Sequence, residues 1–123
     1  MKEYQLGEFE EIVLLTIAIL YKEAYGVSIR HEIEERLKRK VSVSALQTAM
    51  RRMEKKGYLE SEFGEATAVR GGKRKRYFKV THFGKQALEH AKDTRMKLWN
   101  SIPEVAFDFN PTSGIASPIL VSH

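Results

Sequence analysis

The chain has no cysteine, which excludes disulfides, thiolate metal sites and cysteine nucleophiles together and fits a reducing, cytoplasmic setting. It also lacks a long apolar run. The longest, Ile12 to Leu20 interrupted by Thr16, falls well short of the roughly 20 residues needed to cross a bilayer. Acidic Glu10 and Glu11 precede it, where a secretory leader would carry basic residues. The run therefore reads as a buried helix, with no membrane partner expected. Proline is scarce and confined to Pro103, Pro111 and Pro118, so no proline breaks a helix before Pro103. Lysine and arginine are absent from Pro103 onward, where only Glu104 and Asp108 are charged.

That last absence locates the basicity. The formal charge is +5, so the two tail acids leave +7 on residues 1–102. An excess of this sign favours an anionic partner, and its distribution says more than its total. With 123 residues, 42% of them hydrophobic and 30% charged, there is room for one globular domain with a modest core.

Glu8 to Tyr21 contains neither proline nor glycine and is apolar on nearly every face in its second half, so this helix is expected to be covered by more than one neighbour, a partner subunit included. Tyr25-Gly26 interrupts the pattern. Ile29, Ile33 and Leu37 then recur at helical spacing, with Glu32, Glu34, Glu35 and Arg36 outward. Ser42 or Ser44 can cap a third helix, whose inner stripe is Leu46, Met50 and Met53 and whose end is Gly57. Lys55 and Lys56 in its last turn suit the helix dipole.

Beyond Gly57 the period changes to an alternation, Leu59, Ser61 and Phe63 against Glu60 and Glu62, which is that of a strand. Arg76 to Val80 supplies a second strand with Phe78 and Val80 inward, and Gly64 and Gly71-Gly72 bracket the loop between. Thr81 can cap a long final helix carrying Ala87, Leu88, Ala91, Arg95, Leu98 and Trp99, which Pro103 stops.

Three helices, a hairpin and a further helix make a mainly α (α+β) winged helix-turn-helix. Residues 1–80 are expected to form the DNA-binding winged helix, 81–102 a C-terminal dimerisation helix and 103–123 an irregular tail. In this architecture the third helix enters the major groove and the hairpin follows the backbone or minor groove. The outer face of helix three presents Ser44, Gln47, Thr48, Arg51 and Arg52, side chains that hydrogen-bond phosphates or base edges. The hairpin carries Arg70, Lys73, Arg74, Lys75, Arg76 and Lys79 around Gly71-Gly72 with no acid among them. Glycine permits close approach, and clustered cations gain affinity by releasing condensed counterions. Arg74 and Arg76 are expected to add affinity that is independent of base sequence.

Enzyme motifs are missing. His31-Glu32-Ile33-Glu34-Glu35 has Glu35 where a helical zinc motif needs its second histidine, and Thr67 and Arg74 stand where a phosphate loop around Gly71-Gly72-Lys73 needs glycine and serine or threonine. No G-x-S-x-G elbow occurs, and His82 and His90 lack further ligands at coordinating spacing. No catalytic residue, metal or cofactor is expected.

Four stretches together resemble the PadR family of bacterial transcription regulators: Leu6-Gly7-Glu8-Phe9-Glu10-Glu11, Ala24-Tyr25-Gly26-Val27-Ser28-Ile29, Val41 to Gly57, and Arg70-Gly71-Gly72-Lys73-Arg74-Lys75-Arg76-Tyr77-Phe78. The resemblance spans about residues 4 to 92 and is specific as a combination. It implies a homodimer whose C-terminal helices pair, with Leu15, Ile19, Leu88, Ala91, Arg95, Leu98 and Trp99 at the interface, and a repressor reading a palindromic operator. It also implies a possible small-molecule effector at Trp99, since similar regulators bind flat aromatic or cationic drugs between tryptophans. Gln47, followed by Thr48, occupies a position where the family commonly has tyrosine. Glutamine can read the N6 and N7 edge of adenine or sit over a phosphate. A dimeric winged-helix module for sensing or protein contacts, with a merely solvated wing, is the alternative from another class.

Overall fold

The fold was obtained as a computed structural model that describes residues 3–64 and 74–110. Its elements are α1 (Glu8–Leu20), a 3₁₀ turn (Tyr21–Glu23), α2 (Gly26–Leu37), α3 (Val43–Lys56), β1 (Leu59–Phe63), β2 (Arg76–Val80), α4 (His82–Asn100) and a second 3₁₀ turn (Glu104–Phe107). The chain divides into two compact units, Met1–Lys92 and Asp93–His123. This is a mainly helical winged-helix fold.

In the first unit, the core gathers one row from each element: Val13, Leu14 and Ile17 of α1, Ile29 and Ile33 of α2, Leu46, Met50 and Met53 of α3, then Leu59, Phe78 and Ala87. The Glu10 carboxylate accepts the Gly7 N–H at 3.1 Å, satisfying one donor at the start of α1. Ser42 caps α3, its Oγ accepting the Ala45 N–H at 3.0 Å. Gly57 closes α3 at φ 85°, a left-handed conformation that glycine adopts without a Cβ penalty.

The strands pair antiparallel from Leu59↔Val80 to Phe63↔Arg76. The Phe78 N–H donates to the Ala24 carbonyl at 2.8 Å and Tyr25 bridges to Tyr77, so the turn before α2 fixes the second strand to the helical body. Thr81 joins three parts of the unit. Its Oγ accepts the Gly84 N–H at 2.9 Å and donates to the Gly57 carbonyl at 2.6 Å, while its backbone N–H reaches Tyr58 O at 3.0 Å.

Two sequence expectations shift. Leu37 is exposed because α2 ends there and Lys38 turns left-handed at φ 54°. Phe63, expected on the inner face with Leu59, is 58% exposed. The hairpin has run past the core at that point, and the ring is instead overlaid by the Arg74 and Arg76 guanidiniums at 5.7 and 5.9 Å. On α1, Leu15 and Ile19 remain exposed, because one chain supplies neighbours for only part of a helix that is apolar almost all round.

In the second unit, α4 ends with the Ser101 and Ile102 N–H groups donating to Leu98 and Trp99 carbonyls at 3.0 and 3.2 Å. Pro103 follows, and its carbonyl accepts the Ala106 N–H at 2.9 Å. Residues 104–107, expected to be irregular, form a 3₁₀ turn, too short to leave a period in the sequence. Its Phe107 ring lies 6.1 Å from Trp99 and 6.4 Å from Phe109. The rest of the expected tail, 111–123, lies outside the described residues. No helix among the described residues is long and apolar enough to cross a membrane.

Gly84 is the position where backbones approach most closely. A Cβ there would overlap the Tyr58 carbonyl oxygen and meet Val80 Cγ1 at 3.0 Å. Alanine normally stabilises a helix interior relative to glycine by about 1 kcal/mol, but here the overlap reverses the sign. Gly84→Ala is expected to lower unfolding free energy by about 1–3 kcal/mol in urea titration, whereas exposed Gln86→Ala should stay within about 0.5 kcal/mol of the parent.

Candidate nucleic-acid interface

At 100° per residue, Ser44, Gln47, Thr48, Arg51, Arg52 and Lys55 fall within an arc of about 140° on α3. The opposite side is the buried row Leu46, Ala49, Met50 and Met53. All six outer residues are exposed except Thr48, which is half-buried. The outer row stands between two clefts. One, of about 910 Å³, is lined by Gly7 to Glu10 together with Ser44, Thr48, Arg52 and Lys55. The other, of about 530 Å³, lies toward α2 and β2 and includes Val27, Gln47, Arg51, Lys75 and Phe78. Helix α3 is therefore a ridge with a groove on either side, a shape that fits into the major groove of duplex DNA.

Charge is distributed unequally between this ridge and its surroundings. Lys56, turned away from the ridge, donates to Glu10 Oε1 and to the Gln5 carbonyl, both at 2.9 Å. Arg39 pairs with Glu8, Arg30 with Glu34 and Arg36 with Glu32. Among the described residues no ion pair forms at Arg51, Arg52 or Lys55. The ridge thus retains its positive charge, while Arg30, Arg36, Arg39 and Lys56 of the helical body are paired with neighbouring acids.

The wing cations occupy three different environments. Arg74 is exposed and donates through Nε to the Gly64 carbonyl at 2.8 Å. Lys75 places its ammonium 4.1 Å from the centre of the Tyr25 ring, a favourable cation–π contact. Arg76 places one nitrogen, Nη2, on both oxygens of the Glu54 carboxylate at 3.0 and 3.1 Å and donates through Nε to Ser61 Oγ at 2.9 Å. Ser61 in turn donates to Glu54 at 2.6 Å. Arg70, Lys73 and the Gly71-Gly72 pair lie outside the described residues.

Sequence reasoning overlooked two features. Lys55, assigned to the helix dipole, also extends the cationic ridge by one turn beyond Arg51; its i+4 spacing from Arg51 is the signal that locates it. Glu54 was given no role, although it is the sole acid in α3. Its partner could not be found from sequence, because Arg76 is 22 residues away.

The expected interface set divides between the units. Leu15 and Ile19 are exposed, and Leu88 and Ala91 half-buried, in the first; Arg95, Leu98 and Trp99 are exposed in the second. No cluster of three or more metal-ligating side chains occurs among the described residues.

The profile of the transcriptional regulator PadR-like family matches residues 14–90, spanning α1 to the middle of α4. This chain belongs to that family. An uncharacterized protein of Lysinibacillus sphaericus is 32% identical over 101 residues, covering 80% of this chain and 84% of its own. A PadR-like transcription factor of Bacteroides fragilis superposes with a TM-score of 0.63 at 25% identity, covering 75% of this chain and 84% of that one. A PadR family regulator of Clostridium difficile gives 0.58 at 29% identity, covering 72% and 91%. The protein is thus a transcriptional regulator of a family whose members are not enzymes.

In this PadR-like regulator the direction of the ridge begins at Ser42, whose hydroxyl satisfies a first-turn donor of α3. Ser42→Ala should cost about 1 kcal/mol of stability and Ser42→Asn should restore most of it, as read from thermal unfolding midpoints.

Proposed function

We propose that this PadR-like regulator binds duplex DNA as a homodimer in the cytoplasm and represses transcription from a palindromic operator. The observation that carries this reading is the cationic ridge of α3, projecting between two clefts with no ion pair at Arg51, Arg52 or Lys55 among the described residues, while Arg30, Arg36, Arg39 and Lys56 are paired. Arg51, Arg52 and Lys55 lie where phosphates or guanine edges would come, and Ser44, Gln47 and Thr48 add neutral donors and acceptors. Arg74 and Lys75 at the wing base extend the positive surface toward the flanking backbone, and Arg70 and Lys73 are proposed as further DNA contacts. Arg76 lies at the junction of wing and ridge.

The exposed apolar residues of both units support dimerisation. Leu15 and Ile19 are 44% and 52% exposed, Leu98 and Trp99 66% and 63%. Apolar exposure of this extent on helices favours a covering partner, and a two-fold pair would present two ridges about 34 Å apart to successive major grooves. Sedimentation equilibrium at micromolar concentration should give twice the chain mass, and Leu98→Glu should shift it toward monomer. A parent protein that sediments as a monomer would remove the homodimer.

Fluorescence anisotropy on random duplex tests the DNA reading. Affinity in the range of about 1 to 100 µM at physiological salt is expected, and binding no tighter than millimolar would favour a sensing or protein-contact module. Arg74→Ala should flatten the slope of log K against log salt by about one unit on any duplex. Gln47→Ala or Arg51→Ala should instead reduce preference for a selected operator over random DNA by about tenfold, the loss of 1–3 kcal/mol expected of a base-edge contact. Equal losses on both duplexes would take the base-reading role away.

A further inference from the structure

We propose that Glu54 is a positioning residue that locks the wing to the ridge helix, and that Arg76 is its fixed partner and makes no phosphate contact. The inference rests on the DNA-binding reading above and assigns roles within that surface. Glu54 is the one acid of α3 and stands one residue before Lys55 of the ridge. An acid there repels phosphate unless its charge is already satisfied, and the structure shows how it is satisfied.

Three elements meet at the carboxylate. Arg76 of β2 donates to both oxygens, at 3.0 and 3.1 Å, and Ser61 of β1 donates to Oε2 at 2.6 Å. The Arg76 Nε–H donates to Ser61 Oγ at 2.9 Å, closing a ring of hydrogen bonds among α3 and both strands. Nη2 is shared between the two carboxylate oxygens and Nε is given to Ser61, so two nitrogens of the guanidinium are held in fixed directions that a single ammonium does not reproduce. The Arg76 side chain is 49% exposed and that of Glu54 26%, so solvent screening leaves the pair modest as a source of stability. Its effect is geometric.

The lock complements a second anchor, formed by the next residues of β2. There the Phe78 N–H bonds to the Ala24 carbonyl, Tyr25 bridges to Tyr77, and Lys75 lies over Tyr25. The anchor at Ala24–Tyr25 ties β2 to the turn before α2, and the shared core holds the near end of the hairpin against α3. Glu54 adds a tie farther out, at Ser61 and Arg76, and so helps to fix the distance between the ridge cations and Arg74 as both approach one duplex.

The test combines charge-changing and charge-conserving variants, measured by anisotropy on operator and random duplexes across a salt series, with circular dichroism confirming the fold. Arg76→Gln is expected to leave the salt slope unchanged while reducing operator preference about tenfold. Arg76→Lys, which keeps the charge and loses the second donor that reaches Ser61, is expected to reduce operator preference equally. Glu54→Gln should also lose operator preference, with a salt slope steeper by about one unit as Arg76 is released toward phosphate. The Glu54→Gln/Arg76→Gln double variant should lose no more preference than either single one.

A slope flattened by a full unit in Arg76→Gln and kept in Arg76→Lys would make Arg76 a phosphate contact and overturn the lock. Additive losses in the double variant would also overturn it. Failure of the parent protein to bind either duplex would overturn the DNA reading itself, and with it the lock's role, and shows before any variant is compared. Should Glu54→Gln fail to fold, Ser61→Ala removes one side of the same ring and is expected to reduce operator preference in the same direction.

Discussion

Helix α3 must satisfy two opposite environments at once, and the rest of the structure follows from how it does so. Its inner row of Leu46, Ala49, Met50 and Met53 is buried against α1 and α2 and the start of the hairpin, and burying such side chains is the main source of favourable free energy in a unit of this size. Its outer row keeps three cations on a surface where nearby acids pair with other partners. A helix docked less firmly would turn about its axis and mix the two rows, so the direction of the charged ridge is set by the packing beneath it.

The ends of α3 are held by polar contacts. Ser42 satisfies the first turn, Gly57 closes the last, and Lys56 crosses to Glu10 and Gln5 near the beginning of α1. The turn after Gly57 leads directly into Tyr58, whose hydroxyl accepts the Gln5 N–H at 2.8 Å and whose carbonyl accepts Thr81 N–H. One short segment thereby connects the ridge helix, the first strand and the capped start of α4. The close approach of Gly84 to Tyr58 belongs to the same junction, which explains why a residue with low helix propensity stands in the first turns of a 19-residue helix.

Charge follows the same division. Acids are placed where they neutralise cations of the supporting body, as Glu8, Glu10, Glu32 and Glu34 do, and the one acid within α3 is enclosed by Arg76 and Ser61. Among the described residues Arg51, Arg52 and Lys55 are consequently left with no ion pair. Field strength at a binding face depends on this local imbalance more than on the total.

Much of this was legible in the residues. Periodicity located the helices, because Ile29 and Ile33 or Leu46, Met50 and Met53 repeat at the spacing of a helical face, and Gly57 and Thr81 mark chain reversals through backbone and hydroxyl chemistry that needs no distant partner. Cationic residues on the outer face of α3 were visible for the same reason. What only the tertiary structure decided were relations between residues apart in the chain: that Arg76 is bound by Glu54 and Ser61, that Phe63 leaves the core, that Leu15 and Ile19 stay exposed among the described residues, and that the Trp99 ring lies tilted beside Phe107. Local sequence determines which way a side chain points along its own element. Which group it meets there depends on how separate elements pack, and that is settled only when the chain folds.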